Sequence, residues 1–297
     1  MDNGQTIDPL TPIANFFVLT RYQGPPIDIN NWRLSVDGCV SNPLTLTYEA
    51  LLTSYSRISE VMTMECVINP VGGRLIGAAM WSGVSLQELL NDVDVNDNAI
   101  ELFCTSSDGL NRGFPLTHFK HPLTLLAYEM NGQRLQPNYG FPLRLVVPGY
   151  YGFLWRKWLL KLTLTDKPYN DSQWLESMKK VKSKKVLLST KILVPQDHKH
   201  IHTTPHTILG VSWGGETPIN HVEVSFNKGR SWTRAEIIWR ASHPYAWVIW
   251  KLTWTPQKNR AYTVTARAID VAGRIQQNGV DTYPSGSGSW HHVQIHT

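Results

Sequence analysis

Cysteine is scarce: the 297-residue chain holds three, Cys39, Cys66 and Cys104. None stands in a Cys-x-x-Cys pair, which excludes a zinc site built from cysteine, and an odd, low count argues against a disulfide framework. No run of about 18 apolar residues occurs, so no integral membrane segment is expected. The opening MDNGQTIDPL lacks the basic-then-apolar pattern of a signal peptide. The expected location is therefore cytoplasmic, or periplasmic if an export segment had been trimmed. Charge is thin as well, at 17% of residues against a usual ~25%. The net +5 rests on Lys179, Lys180, Lys182, Lys184 and Lys185; without them 23 basic residues balance 23 acidic ones. One basic segment does not supply the spread of phosphate contacts that nucleic-acid binding needs, so that partner is excluded.

What the chain does have is bulk apolar material: 42% hydrophobic residues and 12 tryptophans. A length near 300 fits two domains with separate cores. Trp32 to Gly38 alternates apolar and polar residues and stops on Asp-Gly, which predicts a strand and turn. Val61 to Met64, Leu143 to Gly149 and Trp158 to Leu164 predict further strands. Ser85 to Leu90 predicts a helix, with Ser85 as N-cap and Glu88 three residues on. From Ile208 onward the reading is all β. A hairpin is predicted where Val222, Val224 and Phe226 turn through residues 227–230 to Trp232, followed by strands over Ala246 to Trp254 and Tyr262 to Ile269. The composition changes at 166–190, where the lysine run sits. The expected organisation is α+β: a mixed α/β domain over 1–172, a basic linker over 173–190 and a β-sandwich over 191–297.

Cys66 is the residue with the most chemical promise. It follows the strand Val61 to Met64 and enters the Pro- and Gly-rich stretch Val67 to Arg74. Such a thiol can be held rigidly and still be approached, and glycines let backbone N–H groups come close to an anion. A soft thiolate suits a metal that already carries sulfur ligands. The residues alone leave the other reading open, a buried structural cysteine. His198, His200, His202 and His206 alternate and could share one face of a strand, but no carboxylate or cysteine completes a metal set there.

Several motifs in one order resemble the sulfite-oxidase-like molybdopterin oxidoreductases. They are Asn15-Phe16-Phe17-Val18, Trp32 to Gly38, Glu65-Cys66-Val67-Ile68-Asn69, Gly72 to Gly77, Trp81 to Val84, Tyr128 to Gly132, Gly140 to Gly149 and Lys157-Trp158. In the second half Val222 to Ser225, Gly229 to Trp232 and Ala266 to Asp270 resemble the family's Ig-like dimerisation domain. The resemblance runs from about residue 10 to 280. It implies a molybdenum-molybdopterin cofactor with Cys66 as thiolate ligand to the metal. It places Phe17, Arg21, Tyr139, Arg144, Arg156 and Lys157 at the cofactor and Arg74 at the catalytic centre, with Tyr139 standing where many members have His. The cofactor would do the hard chemistry and the protein would orient it and shape access. No haem is expected, so a separate protein would accept or donate electrons. A homodimer through the second domain is also implied.

The departures bear on substrate. Sulfite oxidases proper carry the cysteine loop as CxGNRR, and here Pro70 and Val71 replace the two arginines. Leu110-Asn111 replaces a tyrosine ahead of Gly113 to Leu116, and Tyr245 stands where an arginine precedes Trp247 and Trp250. A small dianion needs cationic donors, so these losses weaken the case for sulfite. The expected function is oxygen-atom transfer to or from a small sulfur-containing oxo substrate, sulfite-oxidase-like in its nearest form. The alternatives are a sulfoxide-type reductase and a non-catalytic two-domain binding protein without the cofactor.

Overall fold

The computed structural model describes residues 7–20, 26–169, 181, 183–279 and 288–297. Arg21, Lys179, Lys180 and Lys182, and with them the first part of the expected basic linker, lie outside the described residues.

In chain order the first half carries β1 (Arg33–Gly38), β2 (Leu44–Thr47), α1 (Tyr48–Ser54), β3 (Arg57–Glu65) and β4 (Ile76–Ser85). There follow α2 (Leu86–Asp92), β5 (Glu101–Ser106), β6 (Arg112–Pro115), β7 (Leu125–Met130), β8 (Gln133–Arg134), β9 (Arg144–Val146) and β10 (Leu159–Thr165). The second half is strand throughout: β11 (Ser189–Val194), β12 (Lys199–His200), β13 (His206–Trp213), β14 (Ile219–Ser225) and β15 (Thr233–Trp239). It ends with β16 (Val248–Trp254), β17 (Ala261–Asp270) and β18 (His291–His296).

Two sheets make the first half, one ordered β2-β1-β10-β5-β6 and one ordered β3-β4-β7-β8 with β9 added on β7. In β1 the alternation read from the sequence holds, with Leu34 and Val36 buried. The strand stops at Gly38, whose φ is +92° and which lies so close to β10 that a Cβ would come within 2.0 Å of the Leu164 carbonyl oxygen. No other residue fits that turn. β4 is buried along almost its whole length because both of its faces are covered. The predicted helix is α2, with Leu86, Leu89 and Leu90 buried. Ser85 is its N-cap residue but makes no side-chain cap bond, because it is still the last residue of β4 and its hydroxyl donates to the Pro122 carbonyl at 3.4 Å.

The second half forms one eight-stranded sheet that folds over itself into an Ig-like sandwich. β15 pairs with β14 on one side and β16 on the other, so it joins the two layers. Ile192, Ile208, Val222, Trp250, Val264 and Val293 fill the space between them. The predicted hairpin joins β14 to β15, and Lys228 and Gly229 both take positive φ at its tip, as a tight hairpin turn requires.

A third apolar cluster joins the halves. Ile76 and Ala78 of β4 pack against Val211, Trp213, Trp247 and Ile249 of the sandwich. Full burial of one large apolar side chain contributes about 1.5–3 kcal/mol, so this seam is a substantial part of the molecule's stability. It also fixes the loop between β3 and β4 against the second half.

Candidate active site

β3 and β4 pair from Arg57 opposite Val84 to Glu65 opposite Ile76, and residues 66–75 close the hairpin. The loop is tightly bonded within itself. The Cys66 N–H donates to the Leu75 carbonyl at 2.9 Å, and the Asn69 N–H donates to the Cys66 carbonyl at 2.9 Å. Asn69 is buried, and its side-chain oxygen accepts the Leu75 N–H at 2.9 Å while its amide nitrogen donates to Glu65 Oε1 at 3.0 Å. The Cys66 thiol is half-buried at the edge of a cavity. Burial pushes its pKa up, and the N–H groups of Ile68 and Val67, which reach the sulfur, oppose that shift.

The cavity has a volume of about 400 Å³. Among the described residues four cationic side chains line it, Arg112, Arg144, Arg156 and Lys157, against a single carboxylate, Asp108. Arg144 projects from β9 with 2% exposure. Its guanidinium donates to the Tyr139 carbonyl at 3.1 Å and the Trp155 carbonyl at 3.3 Å, and lies 4.8 Å from the centre of the Trp81 ring. Arg156 donates to the Leu110 carbonyl. The Nε atoms of both arginines are buried with no acceptor among the described residues. Burial, then repulsion from Arg156, lowers the Arg144 pKa to about 9. Lys157 donates to the Asn138 carbonyl at 3.1 Å, and burial and the nearby Arg144 bring its pKa down to about 7. Positive charge gathered this way, with donors unused, is a receptor for an anion.

The cavity's outer wall is the segment before β1. Thr11 pairs with Ala78 of β4, its N–H on the carbonyl at 2.7 Å. The Tyr139 hydroxyl lies 2.7 Å from the Ile13 carbonyl and 2.9 Å from that of Phe16. Phe16 is buried against Trp81 and Tyr139. Beyond this anchor Phe17, Val18 and Leu19 line the cavity, the last two being exposed.

Phe17, Cys66, Tyr139, Arg144, Arg156 and Lys157 therefore come together on one cavity. Arg21 lies outside the described residues. Arg74 is not brought to the cavity: it stands on the returning limb of the hairpin loop, exposed, next to Lys191 of the sandwich. Tyr245, which stands where an arginine was expected, packs on His121 and His243 with ring centres 4.6 and 5.6 Å away, off the cavity lining. Asp108 is a turn residue, accepting the Leu110 N–H at 3.1 Å, and it also lines the cavity. Among the described residues no group of three or more His, Cys, Asp or Glu could hold a metal ion, the histidines near 200 included. The contact of Trp213 with Glu65, an indole N–H on the carboxylate at 2.9 Å, escaped the sequence reading because it joins residues far apart in the chain with no local signal.

Two family models account for most of the sequence. The oxidoreductase molybdopterin binding domain matches residues 22–174, and the Mo-co oxidoreductase dimerisation domain matches residues 181–297. The chain belongs to the molybdopterin-binding oxidoreductase family. Among the relatives of this molybdopterin oxidoreductase, the nitrate reductase [NADPH] of Aspergillus niger is 26% identical, with 90% of this chain and 39% of that protein aligned. The sulfite oxidase of Gallus gallus is 24% identical over 91% of this chain and 69% of that one. The chain thus spans well under half the length of the first of these and about two thirds of the second. The sulfane dehydrogenase SoxCD of Paracoccus pantotrophus has the same fold, with a TM-score of 0.79 and 24% identity over 91% of this chain and 77% of that one. The family's cofactor is molybdenum-molybdopterin, and the cavity fits it: a thiol with N–H support, four cations for an anionic tail, and buried guanidinium Nε atoms with no acceptor among the described residues.

Proposed function

We propose that the protein is a molybdenum-dependent oxidoreductase that moves an oxygen atom to or from a small sulfur-containing oxo substrate. It would act as a homodimer through residues 181–297 and exchange electrons with a separate protein. The observation that carries the reading is the joining of the Cys66 thiol to four cations and one carboxylate on a single cavity. When bound, the cofactor supplies two-electron oxygen-atom chemistry at molybdenum. Cys66 is the residue to ligate the metal, with the Val67 and Ile68 N–H groups beside its sulfur favouring the thiolate. Arg144, Arg156 and Lys157 are placed to neutralise the cofactor's phosphate. Trp81 and Trp155 pack on the Arg144 guanidinium and keep water from it, which strengthens that neutralisation.

One observation favours a sulfoxide over sulfite. The outer wall at Phe17, Val18 and Leu19 is apolar and suits organic substituents on sulfur better than a bare dianion. The deciding experiment is metal and pterin analysis of purified protein together with turnover assays. Stoichiometric molybdenum, lost in Cys66→Ser, with reduction of alkyl sulfoxides by a reduced dye, is the expected result. Protein without molybdenum would remove the enzyme reading. Turnover confined to nitrate would overturn the sulfur substrate.

A further inference from the structure

The loop that presents Cys66 is gripped by the second half of the molecule. Trp213, at the end of β13, donates its indole N–H to Glu65 Oε2 at 2.9 Å. The other oxygen of that fully buried carboxylate accepts from Asn69, whose side chain in turn holds Leu75. Lys191 of β11 donates to the Gly73 carbonyl at 2.6 Å. His291 of β18 packs against the loop, where a Cβ on Gly72 would come within 2.2 Å of its Nε2. The His291 ring is itself set by the Ile192 N–H, which donates to its Nδ1 at 3.0 Å. Three strands of the sandwich thus reach one loop, and none of the three side chains lines the cavity.

We infer that Trp213 and Lys191 are positioning residues for the active-site thiol, so that the β-sandwich sets the Cys66 geometry in addition to any part in dimerisation. The inference rests on the reading of Cys66 as the metal's thiolate. The path is short and physical. Trp213 fixes the Glu65 carboxylate, Glu65 fixes the Asn69 amide, and Asn69 ties residue 69 to residue 75. That closure aims the Val67 and Ile68 N–H groups at the sulfur. Lys191 fixes the far limb of the same loop at Gly73. Groups that orient a metal ligand from behind are commonly worth 10–100-fold in affinity or activity. Gly72, at φ +70°, has no side chain to hold the His291 ring away, so the loop and the sandwich meet without a spacer.

The test compares Trp213→Phe and Lys191→Met with Trp247→Phe in the full-length, cofactor-loaded protein. Trp247 belongs to the same apolar seam and donates its indole N–H to the Pro9 carbonyl at 3.0 Å, so its variant loses an equivalent bond that does not reach the loop. Two readouts are taken: the molybdenum midpoint potential, from EPR-monitored titration, and hydrogen exchange of the Val67, Ile68 and Asn69 amides. Trp213→Phe and Lys191→Met are expected to raise exchange at those amides at least tenfold and to shift the potential downward, as N–H groups that draw charge from the sulfur become less well aimed. Trp247→Phe is expected to leave both unchanged, and Lys191→Arg to restore the exchange pattern. Equal changes in all three variants would reduce the contacts to general stability and overturn the inference. So would unchanged exchange in Trp213→Phe and Lys191→Met. The two readings fail separately: if Cys66→Ser retains molybdenum, the thiolate assignment falls, whatever the clamp variants do.

Discussion

Two buried charges flank Cys66, and they are treated in opposite ways. Glu65, fully buried on the sandwich side, has one carboxylate oxygen on Asn69 and the other on Trp213. Arg144, 2% exposed on the cavity side, meets carbonyls and indole faces, and its Nε has no acceptor among the described residues. A buried charge whose hydrogen bonds its own chain completes is part of the scaffold. A buried charge with donors left over marks a binding surface, because burial without pairing is costly unless a ligand repays it. The side of Cys66 that faces Glu65 holds the loop, and the side that faces Arg144 is the one proposed to receive the cofactor.

The comparison predicts opposite signs for removing the two charges, measured on cofactor-free protein. Glu65→Leu strands the Trp213 indole N–H and the Asn69 amide, two buried donors that cost about 1–3 kcal/mol each when unsatisfied. A loss of roughly 3 kcal/mol is expected in urea unfolding. Arg144→Met replaces an arginine with an apolar side chain of similar length. Because a buried charge without a carboxylate is itself destabilising, the cofactor-free variant should be as stable as wild type or more stable by about 1 kcal/mol. Its molybdenum content should nevertheless fall at least tenfold, the order expected for a lost anion contact. A destabilised Arg144→Met with normal molybdenum content would reverse the assignment of that wall.

How much of this was legible in the chain depends on the distance over which each feature is encoded. Leu34 and Val36 alternate with polar neighbours and announce β1, and Leu86, Leu89 and Leu90 announce α2, since both patterns lie within one element. Ser85 stands at the N-cap as read, but β4 runs straight into the helix and the hydroxyl goes to Pro122, remote in sequence, instead of to the first turn. Phe17, Tyr139, Arg144, Arg156 and Lys157, which share the cavity, were singled out through motif resemblance rather than through residue chemistry. Arg74 was misplaced for a geometric reason: a hairpin loop turns its returning limb away from the face its outgoing limb presents. The Glu65–Trp213 bond joins two halves of the chain and leaves no periodicity or spacing to read. The Tyr139 hydroxyl illustrates the same limit, since its partners at Ile13 and Phe16 appear only once the outer wall is folded over it.

The smallest expected effect separates the two sides by pH. On the sandwich side His291 is held neutral, with its pKa lowered from 6.5 to about 4 by burial and then by Lys191. The unfolded chain therefore binds this proton at a higher pH than the folded one, and the contribution to stability is lost as pH falls from 6.5 towards 4. His118, also lowered to about 4, acts in the same direction, so His291→Gln should remove part of the acid slope and not all of it. On the cavity side Lys157 is lowered from 10.5 to about 7, chiefly by burial. The same sign applies in a different window: between 7 and 10.5 the unfolded chain holds more protons, so stability of the cofactor-free protein rises with pH there. An anion beside Lys157 would raise its folded pKa, and loading the cofactor should flatten the alkaline slope while leaving the acid slope of His291 and His118 in place. Denaturant titrations of loaded and cofactor-free protein at pH 5, 7 and 9 measure both windows. If loading altered the acid slope instead, the cofactor would be binding against the sandwich side of Cys66, and the division drawn from Glu65 and Arg144 would be wrong.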